Sequence, residues 1–237
     1  MIRRLVLLAF LSLAGCHHNL SAQDVNVRGL IPPLAFNMTD TQTGAPVTAR
    51  DFKGKVTLLF FGYTNCPDEC PATMYNLTRI FKLLERDRFK MTQSRVTLKR
   101  ESPSKPLMET DQRLRLNRPI DSTLDDQAPG PVAAHIQVLF VTVDPGRDTA
   151  QVLNRYTALF GPNFIGLRGS ANQLYELARR YRVVFTVVKK PVYSVTHSAA
   201  VYVFNAQGQA RFIIGGLDTN RPDLKGIAAD LSAVARE

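Results

Sequence analysis

Cysteine and histidine are scarce in this chain, at three and four residues of 237. So few thiols exclude a disulfide scaffold, and the fold must rest on a buried core. Apolar residues make up 45% of the chain, enough for one good-sized core or two small ones. Beyond the extreme start, no apolar run is long enough to span a bilayer. Acidic residues are outnumbered, 20 against 30 basic ones, for a net charge of +10. The bases are not interleaved with aromatics and no nucleic-acid motif is present, which speaks against a nucleic-acid partner. The excess suits an anionic membrane surface or an acidic partner patch, and it favours solubility.

What is present begins with an address. Arg3 and Arg4 precede the apolar run LVLLAFLSL, and Ala14, Gly15 and Cys16 follow. A charged start, a short apolar stretch and small residues predict a signal peptide over 1–15. LAGC at 13–16 is similar to a bacterial lipobox, which makes Cys16 the lipid attachment point; an ordinary secretory signal is the alternative. Residues 16–34 read as a tether, with His17 and His18 as solvated tether residues. The expected product is an exported, membrane-anchored lipoprotein facing the periplasm. Without Arg3 and Arg4, 28 basic residues face 20 acidic ones.

The remainder, 35–237, reads as one α/β domain. Residues 35–40 make a short strand candidate and TGAPV a turn. VTLLFFGY at 56–63 is the continuous apolar run of a strand buried on both faces. Met74, Leu77, Ile80, Phe81 and Leu84 then recur at helical spacing, predicting a helix from Pro71 to about residue 87. IQVLFVTV at 136–143 is a second buried strand. DPGRDT follows it, with Asp148 placed to cap the helix TAQVLNRYTALF. FIGLRG is a strand, and Ser170 caps the helix after it. VVFTVV, AAVYVFN and ARFIIGG are strands, the last two joined by the turn NAQG. A final helix covers 219–236. This alternation gives a mixed sheet flanked by helices. Residues 88–134 interrupt it with nine basic and six acidic residues, five prolines and one aromatic, Phe89. That composition cannot build its own core. RVTLK at 95–99 and RLRLN at 113–117 alternate as the arms of an exposed hairpin would, with disorder as the alternative. Either way, the helix from the cysteines sets this insertion about 25 Å from them.

The chemistry concentrates in TNCPDECPATM, residues 64–74. A strand, a cysteine turn and a helix put Cys66 and Cys70 at a helix N-terminus, where the free amides favour thiolate. Thiolate attacks disulfides and also binds metals. Redox motifs of the thioredoxin kind have two residues between the cysteines; here Pro67, Asp68 and Glu69 intervene, and the longer loop can present two sulfurs to one soft ion. Two thiolates make an incomplete copper or zinc site, so a third ligand is expected. His135 enters its strand at the edge away from the cysteines. His197 precedes AAVYVF, which in a thioredoxin-like sheet runs antiparallel to the first strands and starts at the cysteine end. Elimination leaves His197. The charges of Asp68 and Glu69 would favour a cation between the thiolates. Asp144, at the same edge, is a candidate for supporting the site or meeting a partner.

GYTNCPDECP, VLFVTVDPGRDT, FIGLRGS and HSAAVYVFN, in this order, resemble the Sco/SenC family of thioredoxin-fold copper proteins. The likeness runs from about residue 35 to the end, apart from 88–134. It implies that Cys66, Cys70 and His197 bind one copper ion, Cu(I) or Cu(II). It further implies a role in assembling the copper centre of cytochrome c oxidase, so the expected partner is the copper-centre subunit of a respiratory oxidase or another copper protein. The reading is a metallochaperone rather than an enzyme. The alternative is a thiol–disulfide reductase, with Cys66 and Cys70 as a redox disulfide, that keeps such a centre's cysteines reduced. One departure stands out: Thr196 occupies the position where the family pattern carries aspartate, an acidic neighbour that could orient the imidazole.

Overall fold

In the computed structural model, residues 20, 21, 23–98 and 132–237 are described, with side chains through residue 85 of the second stretch. The expected signal peptide, Cys16, His17 and His18 lie outside these residues, as does RLRLN at 113–117. Three short strands come first: β1 (Asp24–Asn26), β2 (Asn37–Asp40) and β3 (Pro46–Thr48). Strand β4 (Val56–Gly62) leads into helix α1 (Glu69–Leu98), and β5 (Ile136–Thr142) into α2 (Ala150–Ala158). Then come β6 (Phe164–Arg168), α3 (Ala171–Arg180), β7 (Phe185–Val188), β8 (Ser194–His197), β9 (Val201–Phe204), β10 (Ala210–Ile214) and α4 (Leu224–Val234).

Eight strands form one mixed sheet in the order β1-β10-β9-β4-β5-β6-β2-β3. Strands β4, β5 and β6 are parallel and the other neighbours antiparallel. Every residue of β4 and β5 is buried, which is why both read as largely apolar runs. Helix α1 packs beside α4, and α2 lies against β6. The register Val56↔Ile136 and Gly62↔Thr142 sets the pole of the cysteines at the C-terminal ends of the parallel strands. His135 ends a 3-10 turn just before β5, so it sits at the other pole. Strand β9 runs antiparallel to β4 with Phe60↔Val201, so the chain before β9 starts at the cysteine pole, as expected.

Several expectations are corrected. Residues 20–34 were expected as tether, yet β1 pairs with β10 along the sheet edge, Val27 is buried, and the Leu34 amide donates to the Gly208 carbonyl. Backbone pairing holds this segment, and a three-residue strand leaves no periodicity to read. Helix α1 starts at Glu69 and continues to Leu98, so residues 95–98 of RVTLK are helical rather than an arm of a hairpin. The cap of α2 is Thr149, whose side chain accepts from the Val152 amide, because Asp148 is turned inward instead. The last helix starts at Leu224 behind the cap Asp223, five residues later than expected. VVFTVV, expected as a strand, supplies β7, which pairs with β8 in a separate two-stranded ribbon.

Candidate metal centre

The site is built where β4 stops. A Cβ on Gly62 would meet Cys70 Sγ and Phe140 Cζ, each at 2.8 Å, so only glycine lets the sulfur lie against the strand end. The turn that follows is held from below by Asp148. Its fully buried carboxylate accepts from the Thr64 amide at 3.1 Å, the Thr64 hydroxyl at 2.6 Å and the Thr142 hydroxyl at 2.6 Å. Those bonds join the end of β5 to the loop that carries Cys66. Arg168 braces the loop after β5 from β6, donating to the carbonyls of Asp148 and Pro145.

Cys66 is half-buried and Cys70 fully buried, and both are unbridged. The Cys70 amide, one of the unpaired donors in the first turn of α1, reaches the Cys66 sulfur at 3.4 Å. The two thiols divide one proton unequally. Cys66 falls from an ordinary 9.0 to about 4, first because the Cys70 thiol donates to it, then through the amides of Cys70 and Asp68, all against the opposing effect of burial. Cys70 is pushed far up, by that same bond and by burial. The negative Cys66 in turn helps burial push the neighbouring Tyr63 phenol up to about 12.

His197 comes from the ribbon. Its Nδ1 lies 3.1 Å from the Ser198 carbonyl oxygen, which can only accept, so Nδ1 carries the proton and Nε2 presents a lone pair. Nε2 sits 3.2 Å from Cys70 Sγ. The imidazole is fenced by two rings packed edge-on, Tyr63 at 5.7 Å and Phe60 at 6.1 Å between centroids. The Tyr63 hydroxyl also donates to the Val195 carbonyl at 3.2 Å, which ties the ribbon to the end of β4. Ligand atoms of Cys66, Cys70 and His197 all lie within 4.8 Å of one another. An ion held about 2.0–2.3 Å from nitrogen and sulfur keeps such atoms roughly 3.3–4 Å apart. The donor set fits a soft ion with a small adjustment.

The supporting candidates divide. Asp144 is buried rather than facing a partner. It accepts from Arg147 Nε and from the Tyr193 hydroxyl, each at 2.6 Å, while the Arg147 guanidinium lies 3.7 Å over the Tyr193 ring. The three groups close a triangle between the loop after β5 and the ribbon that carries His197. Asp68 and Glu69 are exposed, so their charge acts through solvent, with no direct bond to the site. Thr196 is exposed too. Successive strand residues face opposite ways, so with His197 turned to the sulfurs, side chain 196 points outward and does not reach the imidazole. Sequence reasoning missed Tyr63 and Tyr193. The available signal was their place beside the two motifs, directly after VTLLFFG and directly before SVTH.

A family profile described as SCO1/SenC matches residues 34–104 and 120–233. The chain belongs to the SCO1/SenC family. This SCO1/SenC match takes in most of 88–134, which was expected to lie outside the likeness, and leaves out only 105–119. Among curated relatives, the mitochondrial "Protein SCO2 homolog" of Mus musculus is 30% identical over 176 residues, 73% of this chain and 52% of that one. "Protein SCO2, mitochondrial" of Saccharomyces cerevisiae is 30% identical over 197 residues, 81% and 49% of the two chains. The chain thus spans about half the length of the curated relatives it matches. Of solved structures, Bradyrhizobium japonicum ScoI with copper bound is 25% identical with a TM-score of 0.58, covering 85% of this chain and 98% of that one. Apo Sco1 from Thermus thermophilus is 27% identical with a TM-score of 0.60, covering 92% and 99%. The fold is thioredoxin-like.

Proposed function

We propose that this chain carries one copper ion as cargo on Cys66, Cys70 and His197 and delivers it to another copper protein, the copper-centre subunit of cytochrome c oxidase. The observation that carries the reading is the convergence of two sulfurs and one imidazole lone pair within 4.8 Å, with the tautomer already set. Relatives of known structure with copper bound support the choice of ion. Two thiolates and one imidazole suit Cu(I); Cu(II) asks for a fourth ligand. Loading displaces the proton that Cys70 holds, so binding weakens as pH falls. Cys66 and His197 are the half-exposed members, so an incoming ligand reaches the ion from their side and Cys70 releases it last. Export, lipid attachment at Cys16 and a periplasm-facing domain complete the reading. Among the described residues no helix is long and apolar enough to cross a membrane.

Titration of the reduced chain with Cu(I) in competition with a chromophoric chelator tests this. One ion per wild-type chain is expected, with at least a tenfold loss of affinity in His197→Ala. Unchanged stoichiometry and affinity in that variant would overturn it. The reductase reading is favoured by one observation, the Cys66 sulfur half-exposed and 3.4 Å from the Cys70 amide at the start of α1, a setting that favours its thiolate. There the Cys66 thiolate attacks a client disulfide and expels one client thiolate. Cys70, losing its proton, then closes a Cys66–Cys70 disulfide and frees the second, so two electrons pass to the client. Disulfide turnover that persists in His197→Ala, together with a failed copper titration, decides for the reductase.

A further inference from the structure

The β7–β8 ribbon has two unlike faces. In the register Thr186↔Thr196 and Val188↔Ser194, these four residues turn outward and are exposed, whereas Val195 and His197 turn toward the core. The outward face carries no charge. Val184, hydrogen-bonded through its carbonyl to the Ser198 amide, extends it toward the metal centre and is 73% exposed. At the far end the turn exposes Lys189, Lys190 and Val192. From residue 179 to 198 the sequence holds five basic residues and no aspartate or glutamate. Among the described residues, neither Lys189 nor Lys190 has a carboxylate partner. Among the described residues no carboxylate is bonded to these lysines and the face stays exposed, and His197 lies on its other side.

We propose that the outward face of the ribbon, with Lys189 and Lys190 at its tip, is the docking surface for an acidic protein that exchanges the ion. The proposal deepens the carrier reading and rests on it. Charge selects the partner's chemistry: paired lysines without local carboxylates attract a carboxylate-rich surface and speed encounter. The shape of the contact selects a protein over a lipid. A flat strand face of small β-branched and hydroxyl side chains suits a folded partner, whereas interfacial membrane binding relies on tryptophan, phenylalanine or leucine anchors, and the exposed tip offers only valine and proline. The face ends at Val184, paired with Ser198 next to His197, so a partner seated there borders the end of the ribbon at which ligand exchange begins.

The test uses Lys189→Glu/Lys190→Glu and Thr196→Asp in the full chain, with the soluble copper-centre domain of the source organism's cytochrome c oxidase as probe. Docking is measured with apo and Cu(I)-loaded chains at low and high salt, and each variant's Cu(I) affinity and thermal midpoint are measured beside it. Wild-type docking weakens with salt. The double reversal weakens it at least tenfold and Thr196→Asp about threefold. Cu(I) affinity and thermal midpoint stay at wild-type values, because these side chains face away from the sulfurs. Docking indifferent to charge reversal, or absent in the wild type, overturns the surface. So does lost binding to vesicles containing phosphatidylglycerol with docking to the domain intact, which makes the face a membrane contact. A wild type that binds no Cu(I) defeats the carrier reading instead, and the apo docking data still decide the surface.

Discussion

Cys66 and Cys70 behave as one acid with two sulfurs. The low value at Cys66 and the raised value at Cys70 have the same cause, a thiol donating to a thiolate at the start of a helix. Iodoacetamide should therefore modify Cys66 at a rate that hardly changes between pH 6 and 8, while buried Cys70 stays slow. Mass spectrometry of the two peptides checks this; a Cys66 rate rising tenfold per pH unit would refute it. Stability follows by linkage. Cys66 is depressed on folding, so its contribution is complete above the ordinary thiol value near 9.0 and is lost as pH falls through about 4. Cys70 is raised, so its contribution is present below 9.0 and is lost above it. The cysteines and His197 were legible because so few residues of their kinds exist and the strands fix which pole each reaches. Asp148 was not, since a short polar residue before a helix reads as a cap whether it turns out or in. Tyr193 was not, because its bond to Asp144 spans 49 positions.

The ribbon is the element on which the site depends most. Among the described residues it pairs with no other strand, and among its ties to the core are the bond from Tyr63 to Val195 and the triangle of Tyr193, Asp144 and Arg147. Removing the phenolic hydroxyl in Tyr193→Phe leaves a buried carboxylate short of one donor. Hydrogen bonds to charged groups contribute about 1.5–3 kcal/mol, and here the loss falls on opening of the ribbon more than on global unfolding. Amide exchange at Thr186, Val188, Thr196 and Ser198, whose N–H groups face the partner strand in this register, should quicken by at least tenfold while that of β4 and β5 stays unchanged. Equal acceleration across the sheet would contradict a local role. At this scale the long apolar runs announced β4 and β5, because strands buried on both faces leave few polar positions. Those present, such as Gln137 and Thr142, are hydrogen-bonded inside. VVFTVV read as a strand, but four-residue strands do not say which neighbour they pair with. Strands β1 and β3, three residues each, are held by backbone bonds that no side-chain pattern reports.

At the scale of the molecule, the sheet reaches further toward the N-terminus than composition suggested. Strand β1 closes one edge, and the Ser21 amide donates to Asp230 on α4 at 2.7 Å. Beside it, burial and the neighbouring Asp230 push Asp24 up to about 8 from 3.8. A carboxyl raised on folding contributes stability below its unfolded value and loses it as pH rises through the folded one. Between pH 5 and 8 the denaturant midpoint of the wild type should therefore fall relative to that of Asp24→Asn, which lacks the titration. Parallel pH profiles for the two proteins would rule this out. The mixed sheet itself was legible from the order of strands and helices, and its edges were not. One consequence remains in the ribbon's separation from the eight-stranded sheet. In the proposed carrier reading, Cys66 and Cys70 are fixed to the framework and His197 alone stands on the separate ribbon. The imidazole is therefore the ligand that can swing aside while the two sulfurs stay in place.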